Sequence, residues 1–157
     1  MKDLEPLPLS DKISGAPHPS EATTIFGQDS AQQQFLNAFD RGRLHHAWLL
    51  SGPRGVGKAT LVWKIAKFLL TTPNAPAQDG LFGAMSQHVS NLETPPDHPA
   101  LPRILAGSEP ALCVLRRSYD EKRKRFKQNI TVDDVRSLKN FFGLSAADGG
   151  ARVVIID

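Results

Sequence analysis

Residues 52–58 read Gly-Pro-Arg-Gly-Val-Gly-Lys, so Gly52, Gly57 and Lys58 have the G-x-x-x-x-G-K spacing of a phosphate-binding loop. Small glycines let successive backbone N–H groups turn inward toward phosphate oxygens. A helix opening after Gly57 adds the partial positive charge of its N-terminus. Lys58 supplies an ammonium for the β- and γ-phosphates. The next residue normally brings a hydroxyl to Mg²⁺, and here it is Ala59. Thr60 lies one position on, about 100° further round the helix, and does not replace that ligand. The nucleotide-binding candidates are therefore Gly52, Pro53, Arg54, Gly55, Val56, Gly57, Lys58, Ala59 and Thr60. Their cofactor would be ATP or ADP with Mg²⁺. The bland alternative is a strand–turn–helix that holds no nucleotide.

A second chemical candidate closes the chain. "VVIID" has a β-branched apolar run ending in Asp157, the pattern of a Walker B strand. Open α/β sheets place ligands at the carboxyl ends of their strands, where Asp157 would hold Mg²⁺ through water. The alternative is a solvated Asp at a strand end. No nucleophile–base pair has a usable spacing, so no catalytic residue is assigned.

These groups need elements to position them. "DSAQQQFLNAFDRG" (29–42) places Ala31, Phe35, Ala38 and Phe39 at helical spacing, with Asp29 or Ser30 to cap its start and Gly42 its end. "HAWLLS" (46–51) reads as a buried strand leading into the loop. "KATLVWKIAKFLL" (58–70) sets Leu61, Ile65, Phe68 and Leu69 on one helical face. Prolines and glycines break residues 71–100, with a short helix expected at Leu101–Ala106. "ALCVL" (111–115) and "RVVIID" (152–157) are further strands. "TVDDVRSLKNFFG" (131–143) is a helix, with Thr131 and Asp134 in a capping box and Val132, Val135, Leu138 and Phe142 as its apolar stripe. Strands alternating with helices predict an α/β fold with a mostly parallel sheet. Residues 1–19, with four prolines, read as an extended arm.

Composition narrows the classes. The 157 residues carry a formal charge of +3, a mild basic bias that permits a polyanionic partner. The single cysteine, Cys113, excludes an internal disulfide framework and reads as a small core residue. No apolar run approaches the roughly 18 residues of a membrane span. The expectation is a cytoplasmic protein with no membrane association. The basic run Arg116, Arg117, Lys122, Arg123, Lys124, Arg125 and Lys127 reads first as a solvated loop, and second as a DNA contact. His45 and His46 read as packing residues, not as metal ligands.

The segments "IFGQDSAQQQFLNAFDRGRLHHAWLLSGPRGVGKATL" and "ITVDDVRSLKNFFGLSAADGGARVVIID" together resemble bacterial clamp-loader ATPase domains of the AAA+ class. With His46-Ala47 before the first strand and Ala59 after the lysine, they are most similar to the delta-prime type. The resemblance covers roughly residues 20–70 and 100–157. It implies a P-loop NTPase (AAA+, RecA-like) three-layer sandwich, incomplete in this chain, with residues 20–157 as its N-terminal part and the lid and collar domains absent. It also implies a stator role in loading a sliding clamp onto primed DNA, beside gamma/tau and delta subunits. The Ser-Arg-Cys motif that such subunits use as an arginine finger is absent here. Many relatives insert a four-cysteine zinc module where residues 71–100 stand, and no cysteine lies there. No zinc and no other structural metal is expected. In the AAA+ fold a later strand separates the Walker A and Walker B strands. The chain ends before it, so self-association through an open sheet edge is expected. An active ATPase, of the gamma/tau motor type or another AAA+ protein, and a small phosphotransferase are the competing readings. Ala59 weighs against both.

Overall fold

A computed structural model describes residues 8–72, 89–143 and 150–157. Helix α1, Asp29–Asp40, buries Phe35 and Leu36. Its C-terminus is closed by paired backbone bonds, Gly42 N–H to Phe39 O at 2.9 Å and Arg43 N–H to Ala38 O at 3.0 Å. That motif requires left-handed backbone at Gly42, whose φ is 61°. Its start differs from the expected Asp or Ser cap. The capping position is Gln28, and no side chain caps it. The Gln28 amide instead donates to the Val56 carbonyl of the loop at 2.8 Å.

Helix α2, Lys58–Thr71, follows the loop directly and buries Leu61, Trp63, Ala66 and Phe68. These residues fall on two faces, and each face has its own core. Leu61 and Phe68 pack with Phe35, Leu36 and Leu92. Trp63 and Ala66 pack with Ala100, Ile104 and Ile155. Among the described residues, α2 therefore joins α1 on one side to the sheet on the other. Helix α3, Ala100–Leu105, sits one residue before the expected position and contributes Ala100 and Ile104.

Strand β1, Leu112–Leu115, pairs in parallel with the last strand, Val153–Ile156, in the register Leu112↔Val153 to Leu115↔Ile156. Between them lie a small antiparallel hairpin, β2 (Tyr119–Asp120) and β3 (Arg125–Phe126), and helix α4, Val132–Gly143. The final strand is β4. The expected parallel pairing is present, in an α/β arrangement with a short sheet. Most of residues 71–100, where prolines and glycines were expected to break the chain, lies outside the described residues.

Two expectations need correction. Residues 46–51 form no strand. A strand is stable through a hydrogen-bonded neighbour, and no described segment pairs with these residues. Leu50 packs on the α1–α2 core, but Leu49 is 94 % exposed. The apolar stripe of α4 is not core either. Val132, Val135 and Phe142 are exposed and Leu138 is half-buried. Its capping box is formed as expected. Thr131 N–H donates to Asp134 Oδ2 at 2.7 Å, and Asp134 N–H donates back to Thr131 Oγ1 at 3.4 Å. These bonds, that of the Thr131 hydroxyl first, hold the Asp134 carboxyl below its usual range.

In the N-terminal segment, most of residues 8–19 are exposed, and two side chains tether it to the fold. The Asp11 side chain is 3 % exposed and accepts from Arg116 at 2.8 Å and from His18 Nε2 at 3.0 Å. His18 Nδ1 accepts the Ser20 backbone N–H at 3.1 Å, which leaves the ring proton on Nε2. The ring also meets Trp63 of α2 edge-on at 5.5 Å. Ser20, His18 and Asp11 have the residue types of a nucleophile triad. Here the nitrogen facing Ser20 Oγ already receives a backbone proton, and Ser20 is buried. The cluster is a clasp that ties the arm to β1 and α2.

Candidate nucleotide-phosphate site

The loop has the backbone that its sequence demands. Gly55 and Gly57 have φ of 85° and 88°, a region that side-chain-bearing residues rarely enter. Gly57 is the capping position of α2, so the first free N–H groups of that helix open onto the loop. At Gly55 an added Cβ would meet nothing within 4 Å, so its requirement is backbone conformation and not space. Gln28 braces the loop from α1 through the Val56 carbonyl. Sequence reasoning missed that brace, because a glutamine just before a helix reads as a neighbour of the cap and its long-range partner cannot be seen.

Lys58 folds back over the loop. Its ammonium donates to the carbonyls of Gly52 at 3.0 Å and Pro53 at 2.7 Å. Both bonds are exposed, so phosphate oxygens could take these donors at little cost. Loop and lysine thus fit a phosphate group. The magnesium side is poorer. Ala59 has no oxygen to offer, and Thr60 sits on another face of α2. Asp157 is exposed at the carboxyl end of β4, its N–H bonded to Leu115 O at 3.0 Å. Helix α2 packs against β4 through the Trp63–Ile155 core.

The structure therefore brings Gly52 to Thr60 into one loop and helix start, and sets Asp157 on the strand that α2 covers. The cleft beside the loop, about 230 Å³, is lined by Val56 and Lys58 with Trp48, Leu49 and Leu50. Asp157 does not line it. His45 and His46 are exposed, and His45 lies edge-on to Trp48 at 6.3 Å. Among the described residues no group of His, Cys, Asp and Glu could hold a metal ion. None of their helices is long and apolar enough to cross a membrane.

A glycine-turned loop opening a helix that packs on a short parallel sheet is compatible with the α/β phosphate-loop class. Comparison with known proteins makes this more specific. The family described as DNA polymerase III, delta subunit, matches residues 27–157, and the chain belongs to it, a member of the AAA+ clamp-loader proteins. The chain is 49% identical over 51 residues to DNA polymerase III subunit gamma of Buchnera aphidicola subsp. Schizaphis graminum, a match covering 32% of this chain and 14% of that protein. It is 39% identical over 51 residues to DNA polymerase III subunit tau of Escherichia coli K12, covering 32% of this chain and 8% of that protein. The subunit tau of Salmonella typhimurium matches to the same extent. The matched region thus spans about one seventh or less of each relative. No solved structure matches the chain.

Proposed function

We propose that this chain is the N-terminal part of a delta-prime subunit of the DNA polymerase III clamp loader. In this reading it is a cytoplasmic stator that helps load the sliding clamp onto primed DNA, with weak or absent ATP hydrolysis of its own. Its partners are the gamma/tau and delta subunits, and through the complex the clamp and DNA. The proposal extends to the domain plan: residues 20–157 as part of an AAA+ three-layer sandwich and 71–100 as an irregular insertion. The observation that carries it is Ala59. The phosphate cradle and Lys58 are kept, and the Mg²⁺-binding hydroxyl is not.

Gly52 to Lys58 would hold the phosphates of ATP or ADP, and Asp157 would face its Mg²⁺. A bound nucleotide would supply charge that orders the loop. The protein's own contribution is the pre-turned backbone and an ammonium already positioned over it. A motor-subunit reading stands beside this one because the gamma and tau relatives match at 39–49% identity.

Calorimetric titration with ATP and Mg²⁺, for the wild type and Ala59→Ser, separates the two. The stator reading expects weak, Mg²⁺-independent binding in the wild type. It expects Mg²⁺-dependent tightening of about tenfold in the variant, comparable to one charge-assisted ligand. Steady Mg²⁺-dependent ATP hydrolysis by the wild type would favour the motor reading.

A further inference from the structure

One peptide decides what the phosphate loop presents, and the residues of the loop do not fix it by themselves. Gly57 stands in left-handed backbone, with φ 88° and ψ 19°. Its carbonyl is held by the Leu61 N–H at 2.9 Å, in the first turn of α2. The peptide on its other side, Val56–Gly57, is the one that can turn over. Rotating it by half a turn would bring Gly57 to φ near about −90°, an ordinary backbone region. Glycine populates both signs of φ about as readily. The loop sequence therefore leaves two orientations of this peptide close in energy.

Gln28 chooses between them. Its side-chain amide donates to the Val56 carbonyl at 2.8 Å. A carbonyl can only accept, so the NH₂ end of the amide must face it. No described peptide is cis, and a trans peptide sets its N–H opposite its C=O. With the carbonyl turned to Gln28, the Gly57 N–H points away from that side chain. Gln28 holds the capping position of α1 yet caps nothing there, because its amide is committed to the loop. Ile25 adds a second contact. A Cβ placed on Gly57 would meet Ile25 Cδ1 at 3.8 Å, so Ile25 lies alongside the same residue. Ile25 packs in turn on the core of Phe35, Leu61 and Phe68. Gln28, Val56 and Lys58 line one cleft.

We propose that Gln28 is the positioning residue of the phosphate loop. It locks the Val56–Gly57 peptide so that the N–H of that peptide, and not its carbonyl, is offered to phosphate. In the turned-over state an oxygen would face the anion, and repulsion would replace a charge-assisted hydrogen bond. Gln28 touches no phosphate in this role, since it acts through the backbone. The lock also joins the loop to the start of α1. A phosphate in the cradle favours the latched state, and by linkage the latched state favours phosphate. The ligand rests on the nucleotide reading above, whereas the lock is a property of the free chain.

The test is backbone NMR of the full 157-residue chain, free and titrated with ADP. Gln28→Met keeps the length of the side chain and removes the donor. The Gly57 amide signal, single and sharp in the wild type, is expected to broaden or double in Gln28→Met as the peptide samples both orientations. ADP affinity should fall about tenfold, the size of one charge-assisted hydrogen bond. Should Gln28→Met lose helical circular dichroism, Gln28→Glu carries the test, because its carboxylate has the same shape and no donor. Gln34→Ala, on the same cleft, is the control and should change neither readout. A Gly57 signal as sharp in the Gln28 variants as in the wild type overturns the proposal, as does an equal change in Gln34→Ala. A broadened signal with unchanged ADP affinity also overturns it, since the N–H would then not serve phosphate. A wild type that binds no ADP, with the Gly57 signal still broadened in the variants, would overturn the nucleotide reading and leave the lock in place.

Discussion

Arg116 and Arg117 are adjacent in sequence, yet they belong to regions with opposite electrostatic logic. Arg116 closes the clasp on Asp11, a carboxylate with 3 % of its side chain exposed, alongside His18. Arg117 is exposed and leads into the hairpin, where Lys122, Lys124, Arg125 and Lys127 form no ion pair among the described residues. Charge removed from water must be matched atom for atom, or it destabilises the fold. Charge left in water costs little and remains free for a partner. The clasp therefore serves the fold, and the hairpin keeps its charge in solvent.

The largest break in that comparison should come from Asp11→Ala. It would leave the Arg116 guanidinium and the His18 N–H without their acceptor. We expect a loss of about 3 kcal/mol in urea unfolding, the low end for a broken buried pair because Arg116 keeps a fifth of its side chain in solvent. Arg117→Ala, one residue away, should change stability by less than about 0.5 kcal/mol. Equal losses for the two would erase the distinction.

A middle-sized effect is expected where a carboxylate is half-buried and already hydrogen-bonded. Thr131→Ala removes the Asp134 capping box and should cost about 1 kcal/mol. In the wild type, the lowered Asp134 value means that its contribution is complete above the ordinary Asp value near about 3.9 and is lost as pH falls through the lower folded value. Acid titration of helicity should therefore differ between wild type and variant above about pH 4 and converge below it.

The smallest effect has the opposite sign. Ser118 Oγ is buried without a hydrogen-bond partner among the described residues. Ser118→Ala should be neutral or stabilising by up to about 1 kcal/mol, because it removes an unsatisfied group between clasp and hairpin. A clear loss of thermal stability would show that the hydroxyl has a partner after all.

Much of the candidate site could be read from the chain because its chemistry is local. Gly55, Gly57 and Lys58 specify a turned loop and a helix start within seven residues, and the structure forms both. Thr131 and Asp134, three apart, specified the start of α4 for the same reason. A parallel arrangement of strands was also legible, through apolar runs separated by a helix, though not which strands pair. Gln28 was not, because its amide spends itself on Val56, 28 residues away. Nor was the exposure of the α4 stripe, since apolar periodicity states what could be buried and not what lies opposite.

The sequence by itself determined the phosphate loop, its missing hydroxyl at Ala59, the helices and the basic run. Each depends on residue type and short spacing. Only the tertiary structure decided which charges are bound and which are free. Asp11 and Arg116 meet across 105 residues, and a proline-rich arm carries no periodic signal that it will fold back. It likewise decided that residues 46–51 form no strand among the described residues, because a strand is a relation between two segments and not a property of one.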